Sequence, residues 1–341
     1  LIVAGMKSVS KATITRLHTS GYMDASFGNL GTTDISSSNS STYYLIDDIN
    51  IDKYNKYIIT GKHYTTMGTS TFTQLVVMRF ESDGSLDNSF DNDGKAFFNS
   101  LATGSHEEGR KIFANSLNEY YICGASYVNG SNWNYALLKI NPDGTTFNSF
   151  GTNGWKIYDL TGQGETETLL NGEMMSNGNI LLTGNQGSGD TVHFALFMVK
   201  PDGSVDNNFA PNGLFLNIFG TNNNSSSSGL AITQDGKIYL SGYTRTCSGG
   251  TCGPLYLAVA RYLGANFPNS VSSIDQNNDI IVYPNPIQTD GRFRIDFLNE
   301  EIQSISALNL LGQEVSVIRL DEYSYQFKTP IKGIYLLRIE M

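Results

Sequence analysis

The sequence predicts an all-β fold, which we expect to be a propeller-like array of four-stranded repeats of about 60 residues followed by a small β-sandwich. The first observation is a short apolar segment ending in Gly that occurs five times, at Gly5, Gly61, Gly124, Gly184 and Gly242. The second is a Gly- and Asn-rich phrase, such as "NPDGTTFNSFGTNG", that recurs at nearly the same interval. No segment between these marks has the apolar period of a helix. Because a single four-stranded sheet cannot bury both of its faces, its repetition indicates a propeller.

The strands of one repeat follow one another through short turns. Another strand precedes each Gly-ended strand, and Asn177-Gly178 and Asp235-Gly236 lie between the two in repeats four and five. These dipeptides predict type I′ turns, which need two positive φ angles. In repeats two and three, "DKYNKY" (52–57) and "NSLNEY" (115–120) occupy the same place with less favourable turn residues. A third strand follows the Gly, and a fourth follows the repeated phrase.

The repeated phrase is expected to form the corner between strands three and four. It holds an Asp-Gly turn, in which Gly provides a positive φ angle and Asp accepts local backbone N–H groups. A Phe comes six or seven residues later, and we expect it to pack back over the sheet as a plug. The turn and plug residues are Gly21, Phe27, Asp83, Gly84, Phe90, Asp143, Gly144, Phe150, Asp202, Gly203 and Phe209.

The repeat resembles the delta-60 repeat family of bacterial surface proteins. The matching segments are "RFESDGSLDNSFDNDGK" (79–95), "KINPDGTTFNSFGTNGW" (139–155) and "VKPDGSVDNNFAPNG" (199–213). The resemblance covers residues 1–264 and implies a β-propeller. The first copy supplies three strands and the fifth loses its last strand after Tyr262, so we expect eighteen strands in all. The array is therefore expected to be incomplete at its N-terminus, with further copies upstream.

The composition changes after the repeats. Residues 265–280 are polar and without apolar alternation, which predicts a linker. Residues 281–341 resemble the C-terminal sorting domain of the type IX secretion system of Bacteroidetes, through "YPNP", "NLLGQEV" and "KGIYLLRI". The motif residues are Tyr283, Pro284, Asn285, Pro286, Gly312, Gly333 and Tyr335.

This second resemblance implies where the protein goes. It implies export by the type IX machinery, followed by release or by anchoring at the outer-membrane surface. A family member normally continues beyond the strand that ends near Met341, so we expect this domain to be incomplete at its C-terminus. The linker predicts that the sorting domain is an independent module.

Charge and composition exclude several classes of partner. The chain has 32 acidic and 22 basic residues, a net charge of -10, whereas nucleic acids are bound through an excess of Lys and Arg. No stretch is apolar over the length that a transmembrane helix needs. Few charges and many aromatic residues are typical of an extracellular β protein.

The sequence predicts no catalytic residue, no cofactor and no metal site. The four histidines, His18, His63, His106 and His193, occupy different places in the repeat. A calcium site is the alternative at one place, where Asp83, Asp87, Asp91 and Asp93 are closely spaced. Repeat three retains only Asp143 of this set, which favours turn formation instead.

Cysteine and serine positions give two further expectations. "CSGGTC" predicts a Cys247–Cys252 disulfide in an exported protein, with two free thiols as the alternative. Cys123 is expected to be a small buried residue. The serine-rich segments 35–44 and 221–230 are expected to be flexible loops between repeats.

Two functions fit these features. The first is a secreted or cell-surface repeat protein with a binding or adhesion role, whose loops, with Trp133 and several Tyr and Asn residues, suit a surface glycan or a protein ligand. The alternative is an extracellular polysaccharide-active enzyme with its site in the propeller channel. We favour the first, since catalytic residues should interrupt the repeat in one or two copies and the sequence shows no such interruption.

Overall fold

The computed structural model describes the chain in segments. These are residues 1–8, 11–37, 41–67, 70–100, 106–128, 132–160, 165–210, 213–217, 219, 223–233, 237–262, 281–283, 290–296, 304–309, 314–321, 323–328 and 335–340. Every regular secondary-structure element of more than one residue in these segments is a β-strand. The chain divides into two compact units, residues 1–267 and 268–341. The linker predicted at 265–280 lies outside the described residues.

The described residues of the first unit form nineteen strands, arranged as five consecutive repeats. This is one more than expected, because the two-residue strand β18 was not predicted. Repeat one has β1 (Ile2–Ser8), β2 (Lys11–Arg16) and β3 (Thr32–Ser36). Repeat two has β4 (Thr42–Ile51), β5 (Tyr57–Met67), β6 (Ser70–Phe80) and β7 (Lys95–Phe98). Repeat three has β8 (His106–Ala114), β9 (Tyr120–Val128), β10 (Asn132–Ile140) and β11 (Trp155–Tyr158). Repeat four has β12 (Thr166–Met174), β13 (Ile180–Ser188), β14 (Thr191–Val199) and β15 (Leu214–Asn217). Repeat five has β16 (Asn223–Ile232), β17 (Ile238–Ser248), β18 (Thr251–Cys252) and β19 (Tyr256–Tyr262).

In repeats one to four the strands pair antiparallel in chain order, so each is a meander. Repeat five differs only in that β17 pairs both with the two-residue strand β18 and with β19. Four apolar cores join repeat one to two, two to three, three to four and four to five. The first strands of neighbouring repeats, β4, β8, β12 and β16, contact one another in sequence. We call these the inner strands. This arrangement confirms the predicted propeller-like all-β fold.

The recurring Gly lies inside a strand and does not end it, which corrects the sequence interpretation. The strand β9, for example, continues four residues beyond Gly124. Each inner strand has a β-bulge opposite this Gly, such as the register shift between Gly109 and Lys111. A Cβ on Gly124 would lie 1.7 Å from the carbonyl oxygen of Glu108, and Gly61, Gly184 and Gly242 are equally crowded. The Gly therefore recurs because the bulge brings two backbones together.

The turns between strands one and two also differ from the prediction. In the Asn177-Gly178 turn only Gly178 has a positive φ angle, so it is not type I′. It is a three-residue loop, closed by an N–H donation from Gly178 to the carbonyl of Met175 (2.9 Å). Asn55 and Asn118 occupy the place of Gly178, with φ of 60° and 63°. Asn tolerates this conformation, so "DKYNKY" and "NSLNEY" form the same turn. Asp235 and Gly236 lie outside the described residues.

The second serine-rich segment is a strand, so the loop prediction is wrong for it. Most of it belongs to β16, where Ser225 and Ser227 are fully buried. The hydroxyl of Ser227 donates to the carbonyl of Gly184 (3.0 Å) and contacts the hydroxyl of Thr183 (3.1 Å). Small hydroxyl side chains are used here because an inner strand packs closely against the preceding repeat. Residues 38–40 of the other segment lie outside the described residues.

The second unit has two small sheets around one core. Its strands are β20 (Ile281–Tyr283), β21 (Arg292–Asp296), β22 (Ser304–Asn309), β23 (Glu314–Val315), β24 (Val317–Arg319), β25 (Ser324–Phe327) and β26 (Tyr335–Glu340). The sheets have the orders β20-β21-β25-β24 and β23-β22-β26. Phe293, Ile295 and Ala307 are among the buried residues that join them, giving the predicted β-sandwich.

Two ends of each repeat must be distinguished. The turn end carries the turn between strands one and two, and also the repeated phrase between strands three and four. The loop end carries the connection between strands two and three, and the chain also passes there from one repeat to the next.

Candidate functional site

The aspartate carboxylates of the Asp-Gly turns in the repeated phrase accept hydrogen bonds from within their own turns. Asp83 Oδ1 accepts hydrogen bonds from the backbone N–H (2.9 Å) and the hydroxyl (2.7 Å) of Ser85. Asp143 and Asp202 make the same pair of bonds with Thr145 and Ser204. These hydrogen bonds lower the pKa of all three aspartates. Gly21, Gly84, Gly144 and Gly203 follow with φ between 76° and 91°.

The plug phenylalanines form joints between repeats. Phe27, Phe90, Phe150 and Phe209 are all buried, with at most 9% of their surface exposed. Each of the first three lies against the Gly of the next repeat: a Cβ on Gly203, for instance, would lie 2.5 Å from the Phe150 ring. The phrase therefore recurs because the plug of one repeat packs on the turn of the next.

An arginine clasp reinforces the first two joints. Arg79 donates to Asp87 Oδ2 (2.5 Å) within its own repeat and to the hydroxyl of Tyr120 (3.1 Å) in the next. It also donates to the carbonyl of Pro142 and lies over the Phe90 ring. Arg16 makes the equivalent bonds to Asp24, Tyr57 and the carbonyl of Ser82. Lys139 occupies the same position in repeat three, but its ion pair with Glu119 and its contact with the Phe147 ring lie within that repeat. In repeat four Met198 occupies the position.

Three of the four candidate calcium ligands, Asp83, Asp87 and Asp93, make hydrogen bonds within the protein. Asp87 also accepts from Lys56 Nζ (2.7 Å), and Asp93 Oδ1 accepts the N–H of Lys95 (2.9 Å). With Asp83 held in its turn, no three of Asp83, Asp87, Asp91 and Asp93 come together as a ligand set, and all four lie in the described part of the chain. No group of three potential ligands there includes a histidine.

The two cysteines of "CSGGTC" are joined as a disulfide, which pairs β17 with β18. Asp190 lies close to them, but oxidised sulfurs cannot act as thiolate ligands. Cys123 is fully buried, and burial raises the pKa of its thiol.

Two buried glutamates bind, through hydrogen bonds, the segments that connect consecutive repeats. Glu107 and Glu167 lie at the same place on β8 and β12 and are almost fully buried. Glu107 Oε1 accepts the N–H (3.1 Å) and hydroxyl (2.6 Å) of Ser100, and Glu167 Oε1 accepts the N–H of Leu160 (2.9 Å). Both acceptor sites face the segment that leads in from the preceding repeat. We therefore assign these carboxylates a structural role.

A charged network on the inner strands does interrupt the repeat. At the bulge, repeats two and three carry Asp47 and Arg110, whereas repeats four and five carry Leu170 and Ser228. Arg110 donates to Asp47 Oδ1 (3.0 Å) and to Glu108 Oε2 (2.7 Å). Lys62 Nζ lies 2.8 Å from Glu108 Oε1. We call these four residues, Asp47, Lys62, Glu108 and Arg110, the inner charge network.

The network is half-buried and incompletely satisfied. The side chains of Asp47 and Arg110 keep 16% and 24% of their surface exposed. Asp47 Oδ2 and Arg110 Nε have no hydrogen-bond partner in the described structure. Burial raises the pKa of Asp47, in spite of the nearby Arg110 and Lys62. Polar atoms without partners are rare in folded proteins and call for an explanation.

Aromatic side chains surround the loop end of the same two repeats. Tyr43 and Tyr64 stack with their ring centroids 4.5 Å apart, and burial and the charge of Glu108 raise the pKa of Tyr64. A second set, Phe72, His106, Tyr127 and Trp133, forms a row that crosses from repeat two to repeat three. Successive ring centroids in this row are 6.4, 6.1 and 5.5 Å apart. We call it the aromatic row.

The inner charge network was not predicted from the sequence, although the sequence contains a signal for it. Aligning the repeats on Gly61, Gly124, Gly184 and Gly242 places the charged residues of the network at positions that are neutral in repeats four and five. The expectation of an uninterrupted repeat was therefore wrong. Trp133 does lie at the loop end, but within β10 and not in a loop.

The sorting-domain motif is only partly described. Tyr283 pairs with Arg294 in the first sheet, and Tyr335 pairs with Asn309 in the second. Pro284, Asn285, Pro286, Gly312 and Gly333 lie outside the described residues.

Family models match both units. A family described as a β-propeller domain of unknown function, DUF5122, matches residues 55–90. The secretion system C-terminal sorting domain matches residues 281–341. The chain is therefore a propeller-like repeat protein with a type IX sorting domain, which directs export to the cell surface or the medium. The described residues contain no helix that is long and apolar enough to cross a membrane. The more specific name delta-60 remains a prediction.

Several solved structures align with most of the chain at low similarity. A mannose phosphorylase from Leishmania mexicana is 11% identical, with 79% of this chain and 87% of that chain covered and a TM-score of 0.38. An endo-arabinase from Bacteroides thetaiotaomicron is 13% identical, with 85% and 96% covered and a TM-score of 0.37. The polysaccharide lyase Uly1 is 12% identical, with 93% and 68% covered and a TM-score of 0.39. Similarity at this level carries no argument about function. A search of curated proteins gives no match.

Proposed function

We propose that the protein is a secreted or cell-surface binding protein whose ligand, a surface glycan, binds at the loop end of repeats two and three. The observation that carries the proposal is the interruption of the repeat. The inner charge network, the Tyr43–Tyr64 stack and the aromatic row all belong to these two repeats.

The chemistry of these residues suits a sugar. Sugar hydroxyls both donate and accept hydrogen bonds, and Asp47 accepts while Arg110 donates. The faces of aromatic rings provide apolar contact area beside such polar groups, as is usual in ligand sites. Other buried polar atoms without hydrogen-bond partners in the described structure, among them Oε2 of Glu107, Nδ1 of His193 and Nε of Arg245, are not part of this set.

We further propose that the role is binding without catalysis. A catalytic carboxylate needs an oxygen free to reach the substrate. Both oxygens of Glu108 are engaged, one by Lys62 and the other by Arg110. Asp47 shares the same guanidinium through Oδ1, and only its Oδ2 is free, so the network offers one free carboxylate oxygen and not the pair of carboxyl groups that glycoside hydrolysis uses. This pairing favours a fixed, charge-neutralised binding surface.

The test is a glycan array probed with the whole chain, followed by analysis of each bound glycan for cleavage products. We expect binding of at least one glycan without turnover. Tyr64→Ala should weaken that binding at least about tenfold, a loss of about 1.4 kcal/mol. Tyr54→Ala is the matched control, because Tyr54 is 63% exposed at the turn end of the same repeat, and it should bind normally. Absence of any glycan binding would contradict the proposal, and cleavage would favour the enzyme.

A further inference from the structure

Three positions at the loop end of a repeat pair directly with one another across its sheet. The central position lies on strand two, three residues after the recurring Gly, and the other two are its partners on strands one and three. Because direct cross-strand partners lie on the same face of a sheet, the three side chains form one continuous surface. We call such a set a cross-strand triplet. The triplets are Tyr43, Tyr64 and Thr73 in repeat two, and His106, Tyr127 and Trp133 in repeat three.

The triplets of repeats two and three are rich in aromatic rings, whereas the later repeats have none at the same positions. In repeat four the three positions hold Thr166, Gly187 and Val192. In repeat five the first two hold Asn224 and Arg245. The strands pair in the same way in all four repeats, so the fold does not require aromatic rings there. Two neighbouring repeats therefore share a feature that packing does not explain.

The two aromatic triplets adjoin one another. Thr73 is the last member of the first triplet and His106 is the first member of the second, and Thr73 Oγ1 lies 3.1 Å from His106 Nδ1. Phe72, which precedes Thr73 in the chain, has its ring centroid 6.4 Å from that of His106 and is 37% exposed. The aromatic members of both triplets are partly exposed. The two triplets thus form one surface across the joint between repeats two and three.

This surface is longer than a single sugar unit. Three neighbouring strands extend over about 10 Å, and each triplet spans three strands. A sugar unit is similar in size to one aromatic ring, so it covers only part of one triplet. The ring centroids of Tyr43 and Tyr64 are 4.5 Å apart, and Tyr127 lies 6.1 Å from His106 and 5.5 Å from Trp133. Successive rings are therefore close enough to contact successive units of a chain.

We propose that the glycan is a linear chain of repeating units, and that internal units of one chain bind both triplets at once. This inference rests on the proposed function and specifies the class of glycan. Equivalent positions in neighbouring repeats suit equivalent units of a polymer. A chain that is held by one triplet reaches the second at a high effective concentration, so it binds more tightly than a short oligomer does.

Isothermal titration calorimetry with the whole chain tests the proposal. The probes are soluble oligomers of two, four and six sugar units, prepared from the glycan that gives the strongest array signal. We expect the affinity to rise at least about tenfold from the two-unit to the six-unit oligomer, because only the longer chain reaches both triplets. This comparison needs no variant of the protein.

Variants of the second triplet show whether it causes the gain with length. In Tyr127→Ala the six-unit oligomer should bind no more tightly than the two-unit oligomer. Tyr127→Phe retains the ring and should retain the gain. Val192→Ala is the matched control, because Val192 holds the place of Trp133 in repeat four, and it should also retain the gain.

The outcomes separate this inference from the proposed function. Glycan binding with the same affinity at every length would overturn the inference and leave the proposed function intact. A gain with length that survives in Tyr127→Ala would also overturn it. Absence of binding to any glycan would contradict both.

Discussion

The turn end and the loop end of the repeats are built from the same strands but follow different rules. At the turn end, Phe90 packs on Gly144 and Phe150 packs on Gly203 in the same way along the chain, the plug of one repeat against the Gly of the next. At the loop end, repeats two and three carry charged and aromatic side chains that repeats four and five replace. The comparison teaches that recurrence marks residues needed for packing, whereas departure from recurrence marks residues available for function.

The largest effect should come from removing a plug. Phe90→Ala deletes a fully buried ring from the joint between repeats two and three and should lower the free energy of unfolding by about 3–5 kcal/mol. Phe72→Ala is the matched control at the loop end, because Phe72 is 37% exposed, and should cost less than about 1 kcal/mol. Denaturant unfolding of both variants measures the difference. Equal losses would show that the two ends contribute alike.

The next effect concerns the arginine clasp and its pH dependence. Burial alone would raise the pKa of Asp87, but hydrogen bonds from Lys56, Ser89 and Arg79 outweigh it and hold the pKa well below its ordinary value. The carboxylate therefore stabilises the fold above the unfolded-state pKa of about 3.9, and this contribution is lost as pH falls further.

Asp87→Asn should accordingly lower the free energy of unfolding at neutral pH by about 3 kcal/mol, since it leaves Arg79 buried without its counter-charge. The variant should also lose less stability than the unaltered chain between pH 5 and pH 2, approximately the range over which an aspartate titrates. Denaturant midpoints across that range provide the measurement. Parallel pH curves for the two proteins would argue against this account of the clasp.

A smaller effect is expected at the bulge. Gly124→Ala places a Cβ against the carbonyl of Glu108 and should cost about 1–3 kcal/mol through overpacking. Gly5→Ala is the ideal comparison, because Gly5 holds the same place in repeat one and its Cβ would meet no atom within 4 Å. Thermal unfolding should separate the two, with Gly5→Ala close to the unaltered chain. Similar losses would remove the bulge as the reason for the recurring Gly.

The smallest effect should follow loss of the disulfide. The Cys247–Cys252 bond closes a loop with only four intervening residues, so replacing both with Ser should cost at most about 2 kcal/mol. Non-reducing peptide mass spectrometry establishes the bond in the purified chain, and unfolding of the double Ser variant gives the cost. Two alkylatable thiols in that peptide would contradict the pairing.

The repeat period made the fold predictable from the sequence. It also made the candidate site difficult to predict, because the residues of the site do not recur. Residues such as Asp83 and Phe90 can be recognised because they recur in each repeat, and their types are those expected of a turn and of a buried plug. Strand lengths were less predictable, because Gly124 in the sequence alone indicates the end of a strand. Only the partner strand shows that a bulge requires it there.

The site residues do not recur, so the repeat pattern hides them. Asp47 and Arg110 are 63 residues apart and become neighbours only when two inner strands align. For Ser225 and Ser227 the sequence predicted a loop, because a run of serines usually indicates one. The structure has a buried strand there, since close packing of inner strands also requires small side chains. Tertiary contact decides between these alternatives, and composition does not.

The most direct test of the separation between the two ends measures binding and stability on the same variants. Affinity is measured for the glycan that gives the strongest array signal, and the free energy of unfolding is measured by denaturant. Tyr64→Ala should lose at least about tenfold in affinity and change stability by less than about 1 kcal/mol. Arg79→Met should bind normally while folded, yet unfold far more easily. If Tyr64→Ala binds normally, or if Arg79→Met loses affinity while still folded, the division of roles between the loop end and the turn end is wrong.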